Sequence, residues 1–115
     1  MKEDKLYLLH IQESILHIKI YVIDGKQQFV NSTLIQDAVL RNLQTLSEST
    51  QRLSDEFKNR YPDIPWRELW AFRNVVAHNY LGINLDRIWE VIDQDLPILE
   101  QQFNRINEIE KTVEW

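Results

Sequence analysis

The chain has 115 residues, 43% hydrophobic and 27% charged, with a formal net charge of −5, no cysteine, two glycines and three prolines. That length suits one domain, and the composition is that of an ordinary globular protein rather than a disordered or fibrous one. Net acidity argues against a non-specific coat for nucleic acid, the lack of cysteine removes disulfides and thiolate metal sites, and no apolar run reaches the roughly 20 residues of a membrane span.

The opening Met1-Lys2-Glu3-Asp4 is acidic and lacks the apolar core of a signal peptide, so a cytoplasmic protein is expected. Leu8, Ile11, Ile15, Ile18 and Val22 then recur in steps of three and four, the stripe of a first helix. Asp24-Gly25 ends it, Gly25 being free to take a left-handed C-terminal cap. After a short polar stretch, Asn31 or Ser32 is a suitable N-cap for a second helix. That helix carries Leu34, Ile35, Ala38, Val39, Leu43, Leu46, Leu53 and Phe57, and it stops by Tyr61 because Pro62 forces the residue before it out of the α region.

Pro65 restarts the chain at the first turn of a third helix, where a missing N–H costs nothing. Trp66, Leu69, Trp70, Arg73, Val76, Ala77 and Tyr80 share one broad face of it, and Gly82 breaks the pattern. Asn84 or Asp86 can cap a fourth helix bearing Ile88, Ile92, Leu96, Leu99, Phe103, Ile106 and Val113, with a kink expected at Pro97. No strand-like alternation competes. The fold class read from this pattern is all-α, an up-and-down bundle of four main helices in a single domain spanning 1–115.

The third helix holds the segment RNVVAHNY, residues 73–80, where a guanidinium, an amide, an imidazole and a phenol stand close in sequence. Arg73 and His78 are five apart, about 140° round an ideal helix, whereas Asn74 and His78, four apart, share a face. One phosphate gripped by both Arg73 and His78 therefore sits near a helix end, or in a groove completed by a second copy of the chain. Arginine offers a fixed fork for phosphate oxygens, and histidine takes and gives a proton near neutrality. Together they supply what RNA cleavage needs: a base for the 2′-hydroxyl, an acid for the leaving oxygen and a cation for the phosphorane. No metal or cofactor is called for, and His10, His17 and His78 show no ligand spacing with the scattered acids.

Plainer readings stand beside this one. An Arg–His pair at this spacing also occurs in helices that catalyse nothing. His10 and His17 read as ordinary partly exposed residues; Trp66, Trp70 and Trp89 read as core; Glu108, Glu110 and Glu114 read as a solvated face. Basic residues gather in the middle third (Arg41, Arg52, Lys58, Arg60, Arg67, Arg73), which makes that region the place to look for a polyanion.

RNVVAHNY resembles the R-x-x-x-x-H-x-Y signature of the HEPN toxin family, in particular its HepT branch. The segments LIQDAVLRNLQTLSESTQRLSDEF, RYPDIPWRELWAFRN and GINLDRIWEVIDQDLPIL resemble the same branch in the same order, so the likeness runs from about Leu6 to Phe103. At Glu48, Ser49 and Thr50 the branch more often carries small residues such as Gly and Ala. The resemblance implies a helical homodimer whose motifs face each other. It also implies a metal-independent endoribonuclease toxin with tRNA as a target class, paired in a type VII toxin–antitoxin system with an MNT-type nucleotidyltransferase antitoxin (MntA-like). Carried over by position, Arg73 and His78 are the catalytic pair and Asn74 the supporting polar residue. Tyr80 is then the tyrosine that the antitoxin modifies with AMP to silence the toxin. The alternative, from another class, is a non-catalytic binding or docking subunit of a nucleotidyltransferase complex; only the first reading needs His78 as an acid–base group.

Overall fold

A computed structural model describes residues 2–70 and 84–111, and every described element is helical. Six helices run in the order α1 (Lys2–Tyr21), α2 (Lys26–Asn31), α3 (Thr33–Arg52), α4 (Asp55–Arg60), α5 (Leu85–Glu90) and α6 (Leu96–Glu110). A π-helical turn, Val91–Asp95, joins α5 to α6. Residues 66–70 form a further helical stretch that opens the third rod expected from the sequence.

The first stripe behaves as its spacing dictates. Leu8, Ile11, Ile15 and Ile18 are buried, and they lay α1 along α3 against Val39, Leu43 and Leu46. Gly25 departs from the expected cap. Its φ of 90° is positive but its ψ is −176°, a conformation nearly confined to glycine, and it serves as the N-cap of α2. The polar stretch that follows is that short helix, and its single buried side chain is Phe29. Gln36 closes α2 from the next element, its Nε2 donating to the carbonyls of Phe29 and Val30 at 3.0 Å each. Ser32 caps α3 as expected, Oγ accepting from Ile35 N–H at 3.2 Å.

The second predicted helix is two. Leu53 and Ser54 are extended (ψ 142° and 153°), and Ser54 caps α4 by accepting from Phe57 N–H at 3.1 Å. Asp4, buried in the first turn of α1, fixes this break: its carboxylate accepts the Ser54 backbone N–H at 2.8 Å and the Ser54 hydroxyl at 2.7 Å. Leu34, expected on the apolar stripe, is 81% exposed, because the nine residues between it and buried Leu43 put it on the opposite face of the helix. Of the three positions where the branch more often carries small residues, Ser49 and Thr50 are buried and Glu48 is exposed; Ser47 beside them is buried as well. The Ser47 and Thr50 hydroxyls donate to carbonyls of their own helix (Leu43 O, 2.9 Å; Ser47 O, 2.7 Å). Short side chains whose hydroxyls are satisfied locally suit a close helix crossing as Gly or Ala does.

Asn84 caps α5, Oδ1 accepting from Arg87 N–H at 3.0 Å. Ile88, Ile92, Leu96, Leu99, Phe103 and Ile106 are all buried, as the spacing requires, and Val91 joins them; Val113 lies outside the described residues. At Pro97 the adjustment is a widened turn: Leu96 N–H bonds to Val91 O, five residues back, and the helical course then resumes. Proline cannot donate to the Asp93 carbonyl, and a π turn is a common way for a helix to take up that lost bond.

Candidate functional site

The helix that should carry the site starts on a firm base. The Pro65 carbonyl accepts the first helical bond, from Leu69 N–H at 3.0 Å, so Pro65 stands one position before the first turn. Leu69 is buried, and the Trp66 indole N–H reaches the carbonyls of Tyr61 (3.1 Å) and Lys58 (3.3 Å). The Trp66 ring meets Phe103 edge-on (centroids 6.0 Å apart, planes 80°) and Phe57 at 6.4 Å. Trp89, also assigned to the core, packs against Phe29 at 5.6 Å. An aromatic cluster thus anchors the approach to RNVVAHNY, with Tyr61, Trp66 and Phe103 supplied by three different segments.

Arg73, Asn74, His78 and Tyr80 lie outside the described residues, and so does the expected sharing of a face by Val76, Ala77 and Tyr80. The remaining sequence candidates are placed. His17 is exposed on α1, its Nδ1 within 3.2 Å of Asn42 Oδ1. His10 is partly buried beside Tyr7, at 6.3 Å between rings. Neither belongs to a metal-binding group, and no cluster of three or more His, Asp or Glu suited to a metal occurs among the described residues. No described helix is long and apolar enough to cross a membrane.

The structure adds a group that the sequence reading assigned to the solvated face. Glu110 is only 4% exposed. Tyr61 Oη donates to its Oε1, and the Arg60 guanidinium stands 3.7 Å from the same oxygen. Arg60 also lies over the Phe57 ring at 5.2 Å and the Tyr61 ring at 6.0 Å. Burial, then the hydrogen bond to Glu110 and the negative charge of that carboxylate, push the Tyr61 phenol up to about 12. A signal was present in the sequence. Phe103, Ile106 and Glu110 continue the 3–4 spacing of the buried stripe, which puts the glutamate on the core face. Glu108, in contrast, is exposed and pairs with Lys111 at 2.9 Å; Glu114 lies outside the described residues.

Of the basic residues gathered in the middle third, Arg60 is committed to Glu110, and Lys58 donates to Gln51 O at 3.2 Å. Arg41, Arg52 and Arg67 are exposed.

Comparison with known proteins gives this geometry its family. The model of the HepT-like family, described as ribonuclease HepT-like, matches residues 11–106. A "gamma-glutamylcyclotransferase and putative RNase" of Methanocaldococcus jannaschii is 37% identical over 108 residues, covering 93% of this chain. The chain spans about half of that relative, 49% of its length. A "putative RNase" of Caldanaerobacter subterraneus is 33% identical over 96% of this chain and the whole of the relative. A "probable ribonuclease HepT" of Thermococcus cleftensis is 30% identical over 70% of this chain and 73% of its own. No solved structure gives a significant match. A family match that spans most of the chain, joined to the ordered segments around RNVVAHNY, shows that this chain belongs to the HepT-like ribonuclease family.

Proposed function

We propose that the chain is a metal-independent endoribonuclease that acts as the toxin of a type VII HEPN/MNT toxin–antitoxin pair, with tRNA as its target class. The observation that carries this reading is RNVVAHNY itself, within a family match that runs unbroken from 11 to 106. His78 takes the proton from a ribose 2′-hydroxyl, whose oxygen attacks the adjacent phosphorus. A histidinium then returns a proton to the departing 5′-oxygen. Arg73 neutralises the charge that builds on the phosphorane oxygens, and Asn74, on the same face as His78, orients the imidazole or the phosphate. Arg73 and His78 are five apart in sequence, which is about 140° round an ideal helix, so a homodimer that sets two third helices face to face would supply a groove lined by both residues.

Tyr80, two positions past His78, is the control point in this proposal. AMP placed on its hydroxyl by an MNT-type nucleotidyltransferase brings bulk and a phosphodiester charge beside Arg73. It competes there with substrate phosphate for the same cation. Tyr80→Phe is expected to remain toxic and to escape silencing by the partner with ATP; an adduct found on another residue would sink this control while leaving the nuclease reading intact.

The decisive experiment for the nuclease reading incubates purified protein with total RNA in EDTA and maps the new ends. His78→Ala and Arg73→Ala are each expected to lower the cleavage rate by about 10²–10⁴-fold with helical content unchanged. Wild-type protein that cuts no RNA, yet binds a nucleotidyltransferase, would favour the docking-subunit reading.

A further inference from the structure

The stretch 61–66, from which the third helix starts, is held on α6 at three points. Tyr61 Oη donates to Glu110 Oε1, Gln102 Nε2 donates to the Asp63 carbonyl at 3.4 Å, and the Trp66 ring meets Phe103 edge-on. The contacts at 102 and 110 stand about 12 Å apart along α6, so the stretch is tied down over a long base. Tyr61 is gripped at both ends. Its carbonyl accepts the Trp66 indole N–H at 3.1 Å and the Ile64 N–H at 3.2 Å. A line of contacts thus runs from Glu110 through Tyr61 to Trp66, at the root of the helix.

Packing alone does not ask for a carboxylate at 110. Glu110 is 4% exposed and continues the stripe of Phe103 and Ile106, where methionine would fill the space with no charge to desolvate. Replacing a buried polar pair by apolar residues of similar volume is often neutral for stability or better. What the pair adds is direction. A hydrogen bond to a charged acceptor holds the phenol within narrow angles, which an apolar contact does not. Direction counts because the third helix is a lever. On the helical course read from the sequence, Arg73 is about 10 Å and His78 about 18 Å beyond Trp66. A tilt of about 5° at the root would carry His78 about 1.5 Å. Misplacing a reacting group by about 1 Å can slow a reaction about 10²-fold.

We infer that Glu110, acting through Tyr61, is a positioning residue that sets the angle at which the third helix presents Arg73 and His78. The catalytic part of this inference rests on the nuclease reading above; the orientation part does not, and the two are read separately.

Tyr61→Phe/Glu110→Met replaces the pair with an apolar one and leaves Arg60, 42% exposed, in contact with water. Tyr61→Phe alone deletes one oxygen, and it serves for both readouts should the double variant fail to fold. Glu110→Gln still accepts the hydroxyl. All are compared with wild type well below the midpoint of unfolding, with circular dichroism unchanged. At saturating RNA the double variant should cleave about 10–10²-fold more slowly with KM little altered, and Glu110→Gln should recover most of that rate. The NMR signals of the His78 imidazole, assigned by their loss in His78→Ala, should move in both Tyr61→Phe proteins and stay in place in Glu110→Gln. A double variant that cuts at the wild-type rate would overturn the inference. So would His78 signals unmoved in both Tyr61→Phe proteins, or Glu110→Gln as slow as the double variant. Wild-type protein that cuts no RNA would sink the nuclease reading instead, and the His78 signals would then decide the orientation by themselves.

Discussion

Asp4→Ala removes the carboxylate that ties the first turn of α1 to the break between α3 and α4. The structure gives two charge-assisted hydrogen bonds at 2.8 and 2.7 Å, from the backbone and the hydroxyl of Ser54, onto a carboxylate that is 3% exposed. Hydrogen bonds to a charged group contribute roughly 1.5–3 kcal/mol each, and a buried N–H left without an acceptor costs about 1–3 kcal/mol. These overlap, because deleting the acceptor is one event seen from two sides; a net loss of about 3 kcal/mol is expected. For a domain of this size that lowers Tm by roughly 10–20 °C. Ser54→Ala keeps the backbone bond to Asp4 but loses the hydroxyl bond and the α4 cap, so it should cost about 1–2 kcal/mol. Thermal and urea unfolding followed at 222 nm, with the double variant closing the cycle, measure both the losses and their coupling. An Asp4→Ala protein melting within about 2 °C of wild type, or a double variant whose losses simply add, would refute the assignment of Asp4 as the clasp between the two elements.

Two further predictions rest on single groups. The phenol of Tyr61 is raised from 10.0 to about 12. A raised folded-state value means that the neutral form is favoured in the fold, so this contribution to stability is complete below pH 10 and is lost as pH climbs toward 12. Absorbance titration near 295 nm should show one late-ionising tyrosine that disappears in Tyr61→Phe; a Tyr61→Phe protein with the same late step would contradict it. Gly25→Ala meets nothing within 4 Å of the added methyl, so its cost is purely conformational, about 1–3 kcal/mol from the φ of 90°. A variant as stable as wild type would show that the backbone there relaxes at little cost.

Much of this fold is legible because helical spacing records burial. The α1 stripe, the Ser32 and Asn84 caps, and the run from Ile88 to Ile106 all follow from period and capping chemistry. What escapes that reading has identifiable causes. Leu53 and Phe57 keep the spacing of α3 across a break, so periodicity alone runs two helices together; Ser54, a good N-cap residue followed by the acidic first turn Asp55-Glu56, is the signal that separates them. Helix α2 buries one side chain in six residues, too few to show a period. Glu110 follows the core stripe, but its charge suggests solvent; only the three-dimensional meeting with Tyr61 and Arg60 shows what accommodates it.

The claim at the centre of this account is that Arg73 and His78 make the chain a nuclease. The most direct measurement is single-turnover cleavage of purified tRNA in EDTA by wild-type protein and by His78→Ala, with correct folding of both verified. The account predicts new RNA ends from the wild type and a rate lower by about 10²–10⁴-fold from the variant. Cleavage that vanishes in EDTA, or that proceeds at the wild-type rate without the imidazole, would contradict it.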